Sequence, residues 1–100
     1  MASVSDLQQP RAKPRLKLFQ PTVIHHEGAE GRAHLLDLSA TGAQVHAASP
    51  PASGAVIRIG CGGALRRARV IWERGGRFGI IFATPLTPAE IDQALAGTDG

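Results

Sequence analysis

Two short runs in this chain carry side chains suited to molecular recognition: Arg11-Ala12-Lys13-Pro14-Arg15 and, further along, Asp37-Leu38-Ser39-Ala40-Thr41-Gly42. An arginine guanidinium presents in-plane donors that match a phosphate or the O6/N7 edge of guanine. A carboxylate does the converse. Guanine's other edge offers an N1–H and an exocyclic amine, so Asp37 is able to read the edge that arginine cannot. Pro14 fixes its own φ and pushes Lys13 toward extended geometry, which sets Arg11 and Arg15 on a stiff arm, about 13 Å apart when fully stretched. That separation is too wide for one phosphate and suits a compact, multiply charged ligand.

Ser39 and Gly42 form a turn between the apolar stretches Ala33–Leu38 and Ala43–Ala47. The hydroxyl can bond nearby backbone in place of a ladder partner, and glycine permits a positive φ or the close approach of a ligand. Taken singly, each run is ordinary: the second describes many hairpin corners, and paired arginines are common in basic termini. Their combination carries the information.

The elements that must position these runs are short strands bounded by glycine-rich turns. Segments Leu16–His26, Arg32–Leu38, Gly42–Ala48, Ala55–Ile59, Ala64–Trp72 and Arg77–Ala83 read as six strands, after a polar tail over residues 1–10. Six strands with tight connections predict an all-β domain over residues 11–97, an antiparallel barrel closed or nearly so. Pro21 cannot donate to a ladder, so the first strand is an edge or carries a bulge. Alternation places Ala55, Ile57 and Ile59 on one face and Phe78, Ile80 and Phe82 on one face, with Val70 and Trp72 together. Gly42 and Gly79 leave room beside bulky neighbours, and the four aromatics read as core, with no exposed stacking platform. Thr87-Pro88-Ala89-Glu90 is a helix start with a capping box. Ile91, Ala94 and Leu95 then make an apolar stripe that Gly97 ends, and a helix this short must dock on something.

The order of the two opening runs, with a strand between them, resembles the PilZ family, the bacterial receptors for cyclic di-GMP. Ala68-Arg69-Val70-Ile71-Trp72 followed by Gly76-Arg77-Phe78-Gly79-Ile80-Ile81-Phe82 is similar to that family's closing hairpin, and a short helix follows. The resemblance covers residues 11–96 and implies a six-stranded split barrel with a C-terminal helix. It also implies that Arg11 and Arg15 grip guanine and phosphate of the dinucleotide, while Asp37, Ser39 and Gly42 complete the pocket. Pro10 stands where many members carry a further arginine. On this reading the arm folds over cyclic di-GMP against the Asp37–Gly42 turn, and the new surface is read by an effector protein. The alternatives are a ligand-free adaptor of the same family, or a small barrel for single-stranded nucleic acid, which would need exposed aromatics between basic residues and has only Phe19 to offer.

Composition bounds the rest. With 100 residues, 43% of them hydrophobic, the chain makes one small domain with a core. The net charge of +3 is carried by nine arginines against two lysines, a bias toward bidentate anion recognition and too weak a field to argue for nucleic acid. Met1–Pro10 lacks the features of a secretion signal and no run reaches membrane-spanning length, so a cytoplasmic protein, monomeric or weakly dimeric, is expected. Cys61, between Gly60 and Gly62, reads as an exposed thiol in a turn. His25, His26, His34 and His46 lack metal-ligand spacing, and neighbours on a strand point to opposite faces. Arg66, Arg67 and Arg69 make a basic cluster in which only Arg67 and Arg69 share a face, and it reads as a solvated outer wall rather than a phosphate track. Glu27 and Glu30 fall in one hairpin turn and Glu73 in another; with no nucleophile beside a base, neither catalysis nor a cofactor is expected.

Overall fold

The computed structural model describes residues 16–96; Arg11, Arg15, the tail and Gly97 lie outside the described residues. Six strands, β1 (Leu16–His26), β2 (Ala29–Leu38), β3 (Gly42–Ala47), β4 (Val56–Cys61), β5 (Ala64–Arg74) and β6 (Arg77–Phe82), close into an antiparallel barrel in the order β1-β2-β3-β6-β5-β4. Helix α1 (Pro88–Ala96) follows.

Three of the connections are two-residue hairpins with both residues at positive φ: Glu27 (53°) and Gly28 (82°), Gly62 (65°) and Gly63 (82°), Gly75 (57°) and Gly76 (89°). Turns of this hand match the right-handed twist of the flanking strands and use only two residues. The strands therefore run further than expected: β2 begins at Ala29, β4 reaches Cys61 and β5 reaches Arg74, so Glu30 and Glu73 lie in strands rather than turns.

The extra residues of β4 change the environment of its thiol. Cys61 continues the inward face of Ile57 and Ile59 and is buried, not exposed. Burial pushes its pKa up, the nearby Arg66 opposing and Glu90 reinforcing the shift.

Inward positions of all six strands fill the barrel, with Leu35, Leu38, Val45, Ile57, Ile59, Val70, Phe78 and Ile80 fully buried. The wall closes by a short seam in which β1 pairs with β4 only at Ile24–Ile59 and His25–Arg58. Beside it, Thr22 Oγ1 donates to the Gly60 carbonyl at 2.6 Å, joining the two strands through a side chain. Pro21 pairs with His34 of β2 and has no β4 partner, a position that tolerates its missing donor, and β1 bulges separately between Lys17 and Gln20.

The helix forms where the capping box placed it: the Glu90 amide donates to Thr87 Oγ1 (3.1 Å) and the Thr87 amide to Glu90 Oε1 (2.7 Å). Ala94 is buried against the barrel, with Leu86 beneath the entry to the helix and Ile91 packed alongside. Arg66 pins the helix from outside, donating from Nη1 to Glu90 Oε2 at 3.1 Å and from Nε to the Cys61 carbonyl at 2.9 Å. Of the arginine cluster, only Arg67 and Arg69 stay on the exposed wall.

Candidate functional site

The corner between β2 and β3 is held by Ser39. Its amide donates to the Gly42 carbonyl at 2.9 Å, and its Oγ lies 3.2 Å from both the Gly42 amide and the Gly42 carbonyl. Ser39 is buried, so its hydroxyl shapes the turn. Gly42 is required by packing: a Cβ there would collide with the Ile80 carbonyl oxygen of β6. The Phe82 amide donates to the Thr41 carbonyl (2.8 Å) and the Leu86 amide to the Ala40 carbonyl (2.7 Å), which fastens the corner to β6 and to the segment leading into α1.

Asp37 stands just before this corner. β2 bulges between Leu35 and Asp37, and the extra residue, Leu36, reverses the alternation that would have aimed Asp37 into the core. Asp37 instead pairs with Gln44 on the outer wall, its Oδ1 accepting from the Gln44 amide at 3.0 Å and its Oδ2 lying 3.5 Å from Gln44 Nε2.

A second bulge lies across the barrel. β5 bulges between Val70 and Trp72, so Ile71 is the extra residue and Trp72 turns outward. Trp72 is 39% exposed and Phe19 68%, so two of the four aromatics that read as core lie on the surface. The Trp72 indole covers Gly79, where a Cβ would come within 2.7 Å of Cε2 and 2.8 Å of Cδ1.

Pairing then sets Lys17, Asp37, Gln44, Gly79 and Trp72 on one cross-strand row. Three strand spacings separate Asp37 from Trp72, about 14 Å between backbones, and the indole leaning over Gly79 shortens the gap at side-chain level. A carboxylate, an amide and an aromatic face thus share one row of the wall, groups whose chemistry can hold a flat, polar heterocycle. The next row out is Pro21, His34, His46 and Arg77, with Phe19 stacked on His34 (centroids 4.3 Å apart, planes 10° apart). Among the expected site residues, Asp37, Ser39 and Gly42 therefore meet at one corner. Gln44 and Trp72 are additions: a glutamine between Ala43 and Val45 gave no signal in the sequence, and Trp72 was masked by regular alternation.

Among the described residues, no three histidine, cysteine or acidic side chains come together as a metal site, and no helix is long and apolar enough to cross a membrane.

No curated protein matches the chain. Among solved structures, the PilZ domain of CeSA from a cellulose-synthesizing bacterium superposes with a TM-score of 0.59 at 18% identity, covering 84% of this chain and 94% of that one, a likeness of fold. The PilZ domain family model matches residues 9–98, a span that includes Arg11 and Arg15 as well as the whole barrel and helix. With nearly its full length matched and the closed six-stranded barrel in place, the chain belongs to the PilZ family, a family of cyclic di-GMP-binding domains.

Proposed function

We propose that this protein is a receptor for cyclic di-GMP that binds the dinucleotide on the outer wall of the barrel, along the row from Asp37 to Trp72. The observation that carries the reading is that row: an acceptor carboxylate and an exposed indole, brought to the same face by two bulges, beside the Ser39–Gly42 corner. A carboxylate accepts up to about four hydrogen bonds, so one that holds Gln44 can also accept from the N1–H and amine of guanine. Trp72 supplies a face for a base to stack on, and Arg11 and Arg15 supply the forks for O6/N7 and phosphate. The arginine arm folds over the bound ligand, and the surface so formed is read by a protein partner.

Calorimetry with cyclic di-GMP and cyclic di-AMP tests this. Adenine inverts the donor and acceptor pattern at the edges concerned, so the guanine dinucleotide binds and the adenine one binds far more weakly. Equal affinities would remove base reading by Asp37 and the arginines. Arg11→Ala and Arg15→Ala each weaken binding by about 1.5–3 kcal/mol, the range for hydrogen bonds to charged groups, with Lys13→Ala as the control of equal charge. A loss at Lys13 as large as at Arg15, abolished for both by salt, would reduce the arm to an electrostatic tether.

A further inference from the structure

The outer wall of β4, β5 and β6 carries a second, separate surface. His25, Arg58 and Arg67 pair in one cross-strand row, and Val56, Arg69 and Ile81 in the next. Arg58 and Arg67 are directly opposite each other, an arrangement that works against the sheet. Among the described residues no carboxylate comes within ion-pair distance of Arg58, Arg67 or Arg69: Glu30 lies by His25, Glu27 by His26 and Glu90 on Arg66, and Glu27 only shares a hollow with Arg58 and Arg67. Val56 and Ile81, which flank Arg69, are 52% and 49% exposed, and Ile71 of the β5 bulge is 48% exposed. Single exposed aliphatics are unremarkable, but these three line a common groove of about 340 Å³ with Arg67 and Arg69.

We propose that this groove docks an acidic protein segment that also carries aliphatic side chains. Charge complementarity selects the occupant. A second copy of the chain would bring arginine against arginine, and the chain's own residues 1–15 hold Arg11, Lys13 and Arg15 against a single acidic residue, Asp6. Nucleic acid is disfavoured because the groove offers aliphatic branches where a strand of bases needs aromatic faces. The barrel is closed, so the partner engages side chains and does not add a strand. The surface adjoins the candidate ligand site: Ile81 pairs on its other side with Gly42. The proposal does not depend on dinucleotide binding and is tested without it.

The probe is a synthetic amphipathic peptide of glutamates and leucines, titrated into isotope-labelled full-length protein and followed by amide chemical shifts. Shifts centred on Val56, Arg67, Arg69, Ile71 and Ile81 support the proposal; shifts centred elsewhere overturn it. Arg67→Glu weakens the peptide by at least about tenfold and leaves melting temperature unchanged or raised, because it turns the repulsive pair with Arg58 into an attractive one. A peptide with serine in place of leucine binds more weakly, as the apolar part of the groove requires. Unchanged affinity in Arg67→Glu, or tighter binding of an oligothymidylate or of phosphatidylglycerol vesicles than of the peptide, overturns the assignment. So does self-association of the wild type that Arg67→Glu abolishes.

Discussion

Asp37 and Trp72 lie on one cross-strand row of the barrel's outer wall, and each is there because its strand bulges immediately before it. Without the extra residues Leu36 and Ile71, strict alternation would point both side chains into the core. The row makes Trp72 the residue whose loss separates binding from folding. Trp72→Ala should weaken cyclic di-GMP by about 1–3 kcal/mol, the usual contribution of a stacked base, as measured by calorimetry. Trp72 is the only tryptophan in the chain, so its emission in the wild type should change on titration with the ligand. A silent titration under conditions where calorimetry shows binding would place the base elsewhere.

The two glycines next to this row should respond differently to a methyl group. At Gly79 the obstacle is the Trp72 side chain, which can swing away, so Gly79→Ala should cost ligand affinity more than stability. At Gly42 the obstacle is the Ile80 carbonyl, which is fixed in the β3–β6 ladder. Gly42→Ala should destabilise by about 1–3 kcal/mol, as overpacking does. Each kcal/mol should lower the melting temperature by about 4–8 °C in a domain of this size. Equal melting temperatures for the two variants would contradict this division.

Cys61 should behave as a core residue. Cys61 is buried and its pKa raised, so little thiolate forms at neutral pH to attack a disulfide reagent. Labelling with a chromogenic disulfide should be negligible in the native protein and prompt in denaturant. Rapid native labelling would mean that α1 opens readily over that end of the barrel.

The hydrogen bonds that Glu90 accepts, first from the Thr87 amide and then from Arg66, make stability depend on acid pH. The Thr87 amide, and then Arg66, hold the Glu90 carboxyl below its ordinary pKa. A group depressed in the folded state contributes stability above its unfolded pKa and loses it as pH falls through the folded one. The wild type should therefore lose this contribution progressively below about pH 4.3, the ordinary glutamate value. Glu90→Gln should be less stable than the wild type at neutral pH, and the difference between them should shrink on acidification. A difference that stays constant with pH would assign Glu90 a role independent of its charge.

The sequence by itself determined the strand count, the antiparallel barrel, the capped helix and the family, because these rest on local signals. Glycines mark the tight turns at Gly28, Gly62-Gly63 and Gly75-Gly76, period-two alternation marks the buried faces of β4 and β6, and Thr87 to Glu90 spell a capping box. Asp37, Ser39 and Gly42 were legible as a motif for the same reason. Tertiary structure alone decided which way Asp37 and Trp72 point, since a bulge leaves composition and spacing unaltered and shows only when the partner strand is in register. It also decided the fate of Cys61, whose burial depends on β4 running into a turn of only two residues, and the meeting of Arg58 with Arg67. Those two arginines are separated by a whole hairpin in sequence, and it is the pairing of β4 with β5 that sets them face to face.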